Sequence, residues 1–142
     1  MNIEKLTALY KKYELTKDDV YKHQHYIIIT RSGIDKIQAK EKVFIDYEVI
    51  TCEPKFCVVK ANATKEDAKI QTFGSAIKGD TFKDGNTQTW YVMEMAEKRA
   101  MSRAVLKLTG FYELGVFGED ESESFKKQKT EYIIVKFSPK QK

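Results

Sequence analysis

The sequence predicts an α+β fold, in which one long helix packs on an antiparallel sheet of three to four strands, with a short N-terminal helix and a C-terminal tail. Three observations carry this prediction. The middle of the chain alternates apolar and polar residues, as half-buried strands do. The segment Thr87–Leu108 has neither glycine nor proline and repeats apolar residues at helical spacing. The chain has 142 residues, of which 42% are hydrophobic, enough for one domain with a packed core.

The first part of the chain is predicted to form a helix, a strand and a second helix. Apolar residues recur at helical spacing in Met1–Tyr13, which predicts a short amphipathic helix. The β-branched run Tyr26–Thr30 predicts a strand. Ser32 is placed to cap a second short helix that ends at Glu41.

Three strands are predicted to follow as an antiparallel meander, which forms the β-β-β part of a β-β-β-α core. The links between them are short, as hairpins require. The turn Cys52–Lys55 contains a proline, and the turn Thr64–Ala68 is polar and charged. The predicted strands are Val43–Thr51, Phe56–Ala63 and Lys69–Ala76.

The long helix is the strongest helical signal. A loop, Lys78–Asn86, precedes it, Asn86 or Thr87 is its predicted N-cap, and Gly110 is its predicted stop. Glu97 falls within the apolar arc, where the sequence assigns it no partner. The residues predicted to face the sheet are Trp90, Met93, Ala96, Ala100, Met101, Ala104, Val105 and Leu108. The three alanines recur every four residues, so the helix can approach the sheet closely.

The composition changes after Gly118, which divides the chain into a domain, residues 1–118, and a tail, residues 119–142. The tail begins with an acidic run, Glu119–Glu123, and continues with a basic stretch, Lys126–Lys129. The acidic run is either a solvated linker or a segment that competes with a ligand for the basic residues of the long helix. The segment Tyr132–Phe137 is predicted to form one extra strand, which could pair with a neighbouring subunit.

The basic residues are distributed unequally. The chain has 25 basic and 21 acidic residues, but only three of the basic residues are arginines. Two of these, Arg99 and Arg103, stand with Lys107 at four-residue intervals along the long helix. Like charges in such a row repel one another, so a solvated helix face usually mixes signs. The row is either a track for phosphates or a solvated face that carries no function.

Several classes of function are disfavoured. Two cysteines, Cys52 and Cys57, do not make a disulfide framework, and their spacing beside His23 and His25 is not a standard zinc pattern. No nucleophile–histidine set or phosphate-binding glycine loop is present, so we expect neither an enzyme nor a cofactor. The longest apolar run is too short to cross a bilayer and no signal pattern begins the chain, so we expect a cytoplasmic protein.

Three segments resemble a known family. The helix Glu94–Gly110 resembles the signature helix of phage and archaeal-virus single-strand DNA-annealing proteins and of the eukaryotic annealing protein of the Rad-fifty-two superfamily. The segments Tyr26–Ile50 and Thr72–Ala76 are similar to the phage relatives. The order of strand, short helix, three-strand meander and long helix matches across residues 20–115.

The resemblance implies a function and a site. Such proteins bind single-stranded DNA without ATP, form rings or filaments and anneal complementary strands, as phage proteins of DNA recombination and repair in the host cytoplasm. A phage exonuclease or replication protein is the implied kind of partner. Arg103 matches the family's DNA-contacting arginine, whereas Ser102 stands where the eukaryotic relatives have a further basic residue. The full predicted DNA-binding set is Arg99, Arg103, Lys107, Arg31, Lys98, Tyr91 and Tyr112, with the two tyrosines as base-stacking residues.

Two other functions remain open. One is a single-strand-binding protein that protects replication or repair intermediates without annealing them. The other is a self-assembling adaptor or structural protein that binds no nucleic acid and whose sheet edges pair with copies of itself.

Overall fold

The computed structural model describes residues 2–81 and 83–121. The predicted α+β class is confirmed: within these residues a long helix packs on an antiparallel three-stranded sheet, and a second three-stranded sheet lies beside it. The elements are α1 Ile3–Lys12, β1 Val20–His23, β2 Tyr26–Ile29, α2 Arg31–Glu41, β3 Phe44–Glu53, β4 Phe56–Lys65, β5 Ala68–Ile77, α3 Val92–Leu108, a 3-10 turn Tyr112–Leu114 and β6 Val116–Gly118.

The larger sheet has the order β3-β4-β5 and is antiparallel throughout, as the meander predicts. Alternate residues of β4 are buried from Cys57 to Ala63, and these face α3. The alanines of α3 at positions 96, 100 and 104 are fully buried against them. A Cβ on Gly74 of β5 would overlap the backbone of Ala96 and Ala100, so the close approach of helix and strand requires glycine here.

The smaller sheet has the order β1-β2-β6, with β1 antiparallel and β6 parallel to β2. The predicted strand at residues 26–30 belongs to this second sheet, while β1 and β6 were not predicted from the sequence. Two of its buried residues, Ile29 and Val116, form a core with Ile34 of α2, Val105 of α3 and Phe111. A polar turn at residues 17–19 ends on buried Asp19, whose carboxylate accepts hydrogen bonds from Lys36 and Ser32 of α2.

The predicted start of the long helix is wrong. α3 begins at Val92, and its N-cap, Tyr91, makes no side-chain capping bond. Asn86 and Thr87 form hydrogen bonds with the end of β5 instead of capping the helix. The Asn86 side chain accepts a hydrogen bond from the Ile77 amide, and the amides of Asn86 and Thr87 donate to the Ile77 carbonyl. Thr87 is bridged to Lys78 at the end of β5, and the amides of Thr89 and Tyr91 donate to the hydroxyls of Thr87 and Thr89. The five residues before Val92 are therefore not helical.

Three smaller predictions also fail. Trp90, which precedes the helix, is 62% exposed rather than buried, and Met93 is exposed as well. Glu97 is exposed and lies outside the packed arc. The cap of α2 is Thr30, whose hydroxyl accepts the Gly33 amide, rather than Ser32.

The C-terminal limit of α3 agrees with the prediction, since the helix ends at Leu108 and Gly110 adopts a φ of 88°. The predicted tail begins with three residues, 119–121, that pack back on the domain. The basic stretch at residues 126–129 and the predicted strand at 132–137 lie outside the described residues. No helix in the described part of the chain is long and apolar enough to span a membrane.

Candidate nucleic-acid interface

Arg99 does not belong to an exposed basic row. Its side chain lies inside the fold, and the residue is only 4% exposed. Its Nη1 donates to the Ser75 carbonyl at 2.9 Å, its Nη2 to the Asn86 carbonyl at 2.9 Å, and its Nε to the Asp120 carbonyl at 3.2 Å. A guanidinium engaged in this way joins β5, the following loop and the tail to α3. Contact of Arg99 with phosphates stays a prediction, and in the structure its guanidinium is directed at backbone carbonyls instead.

Arg103 lies one turn further along α3 and reaches the surface, with 39% of its side chain exposed. Its Nε donates to Glu121 Oε2 at 2.7 Å and its Nη1 to the Phe73 carbonyl at 2.9 Å. The Glu121 side chain is only 7% exposed, and its Oε1 is buried with no hydrogen-bond partner among the described residues. Arg103 thus holds an oxyanion at the edge of β5 through one charge-assisted hydrogen bond from Nε.

Glu121 is the last described residue of the acidic run, and the part of that run from Glu119 to Glu121 docks between α2 and α3. Asp120 accepts a hydrogen bond from the Ser102 hydroxyl at 3.1 Å, and Glu119 accepts one from the Arg31 amide at 2.7 Å. Ser102, which stands where the eukaryotic proteins of the resembled family have a basic residue, is fully buried. The first three residues of the acidic run are therefore held against the helix edge and are not a solvated linker.

Lys107 and Tyr112 come together as one cation–ring pair. Lys107 is exposed, and its Nζ lies 5.2 Å from the centre of the Tyr112 ring. The Tyr112 ring contacts Phe117 at 5.7 Å, and Phe117 contacts Tyr26 at 5.8 Å. Lys107 therefore lies beside the first of three aromatic rings that contact one another in sequence near the C-terminal end of α3.

The remaining predicted residues are scattered. Arg31 is the first residue of α2 and forms a 3.3 Å ion pair with Asp35. Lys98 is half-buried on α3, and Tyr91 is exposed at the start of the same helix. Because α3 has 17 residues, it is about 25 Å long, and the two predicted stacking tyrosines lie near opposite ends of it.

The sequence reasoning missed an exposed aromatic–basic cluster, which comprises Trp90, Lys55 and Lys78. The Nζ of Lys78 lies 4.4 Å from the centre of the Trp90 ring, and that of Lys55 lies 5.8 Å from it. Lys55 comes from the β3–β4 turn and Lys78 from the end of β5, where its amide donates to the Lys55 carbonyl. The sequence signal that could have revealed the cluster is a single tryptophan next to a loop. The helical spacing predicted instead that this tryptophan faces the core.

The two cysteines occupy directly opposed positions on β3 and β4. Burial, and then a hydrogen bond with Cys52, raises the pKa of the Cys57 thiol to about 11, so this thiol stays protonated at neutral pH. His23 and His25 lie on the other sheet, around the β1–β2 turn. Among residues 2–81 and 83–121, no three histidine, cysteine or acidic side chains are grouped as a metal site requires.

Comparison with protein families, with curated proteins and with solved structures finds no match to this chain.

Proposed function

We propose that this protein binds single-stranded DNA without ATP and, as a ring or filament, anneals complementary strands. The observation that carries the proposal is Arg103, a half-exposed guanidinium that already binds an oxyanion, followed one turn later by Lys107 beside an aromatic ring. Sequence-independent single-strand binding requires cations for the backbone and flat rings for the bases. Both are present at this edge of α3.

Arg103 suits phosphate because of how its nitrogens are placed. One nitrogen holds the Phe73 carbonyl, which fixes the side chain at the edge of β5, and Nε is directed at a carboxylate. A phosphate oxygen can accept the same charge-assisted hydrogen bond from Nε that the carboxylate oxygen accepts. Entry of the DNA backbone then displaces Glu121 from Arg103, so binding is an exchange of anions.

The test is substitution of Arg103 by glutamine, with Lys11→Gln as the matched control. Lys11 is exposed on α1, so both variants lose one positive charge. We expect Arg103→Gln to weaken binding to fluorescein-labelled oligo-dT, measured by anisotropy, and to reduce the slope of log affinity against log salt by about 0.7. The control should retain affinity. Equal affinity of the two variants would contradict the role of Arg103.

A second candidate, the self-assembling adaptor, is favoured by the edge of β3. Within the described residues no strand pairs with the outer edge of this ten-residue strand, and Phe44, Val49 and Ile50 are exposed along it. A long exposed edge with apolar side chains is a template for pairing with another chain. Assembly in light scattering together with no oligo-dT binding at low salt would favour the adaptor over the annealing protein.

A further inference from the structure

The cluster of Trp90, Lys55 and Lys78 lies away from Arg103 and carries an exposed aromatic ring. Trp90 is the single tryptophan of the chain and is 62% exposed. Tyr91 beside it is 68% exposed. A side chain of this size usually buries much of its surface in a core or an interface, so an exposed tryptophan indicates a binding surface.

Two ammonium groups converge on this ring. Lys78 Nζ lies 4.4 Å and Lys55 Nζ 5.8 Å from its centre, and the 2.7 Å hydrogen bond between the Lys78 amide and the Lys55 carbonyl holds the two residues side by side. The Lys78 side chain is 11% exposed, and Asp80, its nearest carboxylate at 3.8 Å, is almost fully solvated. Two like charges close to one ring repel each other, so an anion between them would relieve that repulsion.

The combination selects a class of ligand. A flat ring open to solvent stacks on another flat ring, and the adjacent ammonium groups attract phosphate. An acidic peptide would satisfy the lysines but would leave the tryptophan face without a matching partner. A nucleotide satisfies both.

The cluster also lies in line with Arg103. Arg103 bonds the carbonyl of Phe73, Arg99 that of Ser75 and Asn86 the backbone of Ile77, so these contacts follow the outer edge of β5, opposite β4. From Phe73 to Ile77 this edge covers about 13 Å at the usual strand rise, and Lys78 is the next residue. A single strand that follows the β5 edge would therefore contact Arg103 at one end and the cluster at the other.

We propose that Trp90, with Lys55 and Lys78, is a base-stacking subsite of the single-strand track that begins at Arg103. The inference rests on the proposed function, and it adds a contact that neither the basic row nor the resemblance supplies. Trp90 stacks on a base, and the two lysines hold the adjoining phosphate.

The single tryptophan makes the subsite directly observable. We expect saturating oligo-dT to quench the fluorescence of the wild-type protein at low salt. In anisotropy, Trp90→Ala should weaken binding about 5- to 100-fold, Trp90→Phe should retain most of the affinity, and Lys78→Gln should reduce the salt slope by about 0.7. Far-ultraviolet circular dichroism should be unchanged, because the ring contributes little to the core.

The outcomes separate the subsite from the function. If the wild-type protein binds oligo-dT in anisotropy but its tryptophan is not quenched and Trp90→Ala binds normally, the subsite is wrong and the proposed function stands. If Trp90→Ala lowers the sedimentation mass and leaves DNA affinity intact, the cluster is an interface between copies. If the wild-type protein binds no DNA at low salt, both proposals fail.

Discussion

Glu121→Gln tests whether the acidic segment occupies the proposed DNA site. The wild-type carboxylate lies 2.7 Å from Arg103 Nε and is 7% exposed, while the arginine is 39% exposed. If phosphate must displace this carboxylate, the stability of the pair opposes binding. Glutamine preserves the size of the side chain and a neutral acceptor but removes the charge, so DNA should bind more tightly.

The magnitude follows from the exposure of the two partners. Exposed ion pairs contribute about 0.2–1 kcal/mol, and hydrogen bonds to charged groups about 1.5–3 kcal/mol. The Arg103–Glu121 pair lies between these ranges, because water screens the arginine but not the carboxylate. Since glutamine keeps a weaker hydrogen bond, the difference is about 1 kcal/mol, which corresponds to an affinity about fivefold higher.

The assay compares Glu121→Gln with Glu4→Gln, an exposed site on α1 that loses the same charge. Anisotropy titrations with labelled oligo-dT at two salt concentrations measure the affinities, and thermal unfolding checks that the fold is kept. Any general gain from one fewer negative charge appears in both variants. Equal affinities of the two variants would refute the displacement of Glu121 by DNA.

Two further predictions concern the fold. Arg99→Gln should lower the free energy of unfolding by about 3 kcal/mol in urea, because three half-buried carbonyls lose their charged donor; an unchanged midpoint with lost DNA binding would instead support the predicted phosphate role of Arg99. Burial alone would raise the pKa of Asp19, but hydrogen bonds from Lys36, the Thr16 amide and Ser32 outweigh it and lower that pKa. The carboxylate therefore stabilises the fold fully above the unfolded pKa of about 3.9, and this contribution is lost as pH falls below it. In urea titrations the stability deficit of Asp19→Asn should be largest near pH 7 and shrink below pH 4; a deficit independent of pH would contradict this.

The sequence predicted the meander and the body of α3 because their patterns are local. Alternation in β4 and the four-residue spacing of Ala96, Ala100 and Ala104 each report which side faces the core. The smaller sheet was only partly predicted, because β1 and β6 are four and three residues long and β6 pairs with a strand almost ninety residues earlier. Short strands that pair at long range leave little periodicity in the sequence.

The site was only partly predictable for a related reason. Helical spacing places Arg99 and Arg103 on one edge of α3. It cannot show that this edge faces the carbonyls on the outer edge of β5. Helical spacing also placed Trp90 in the core, because it was extended into residues before Val92 that are not helical. The spacing does not show the hydrogen bonds between Asn86 and β5 that keep these residues out of the helix. In both cases the deciding partner is a backbone group of another element, which no side-chain pattern reports.

The two edges of the larger sheet limit how copies of this chain can assemble. The β5 edge is closed from residue 73 to residue 77 by Arg103, Arg99 and Asn86, whereas the β3 edge is unpaired in the described part of the chain. Pairing of β3 with β5 of the next copy would propagate a ring or filament, but the arginines block it. Pairing of β3 with β3 is self-complementary and ends at a dimer. A ring or filament built by strand pairing at β3 therefore requires that β3 meet some other segment, and the sequence offers one candidate in the predicted strand at residues 132–137, outside the described residues. A dimeric mass in light scattering would favour β3–β3 pairing, and a larger closed assembly would favour the exchange of such a strand between copies.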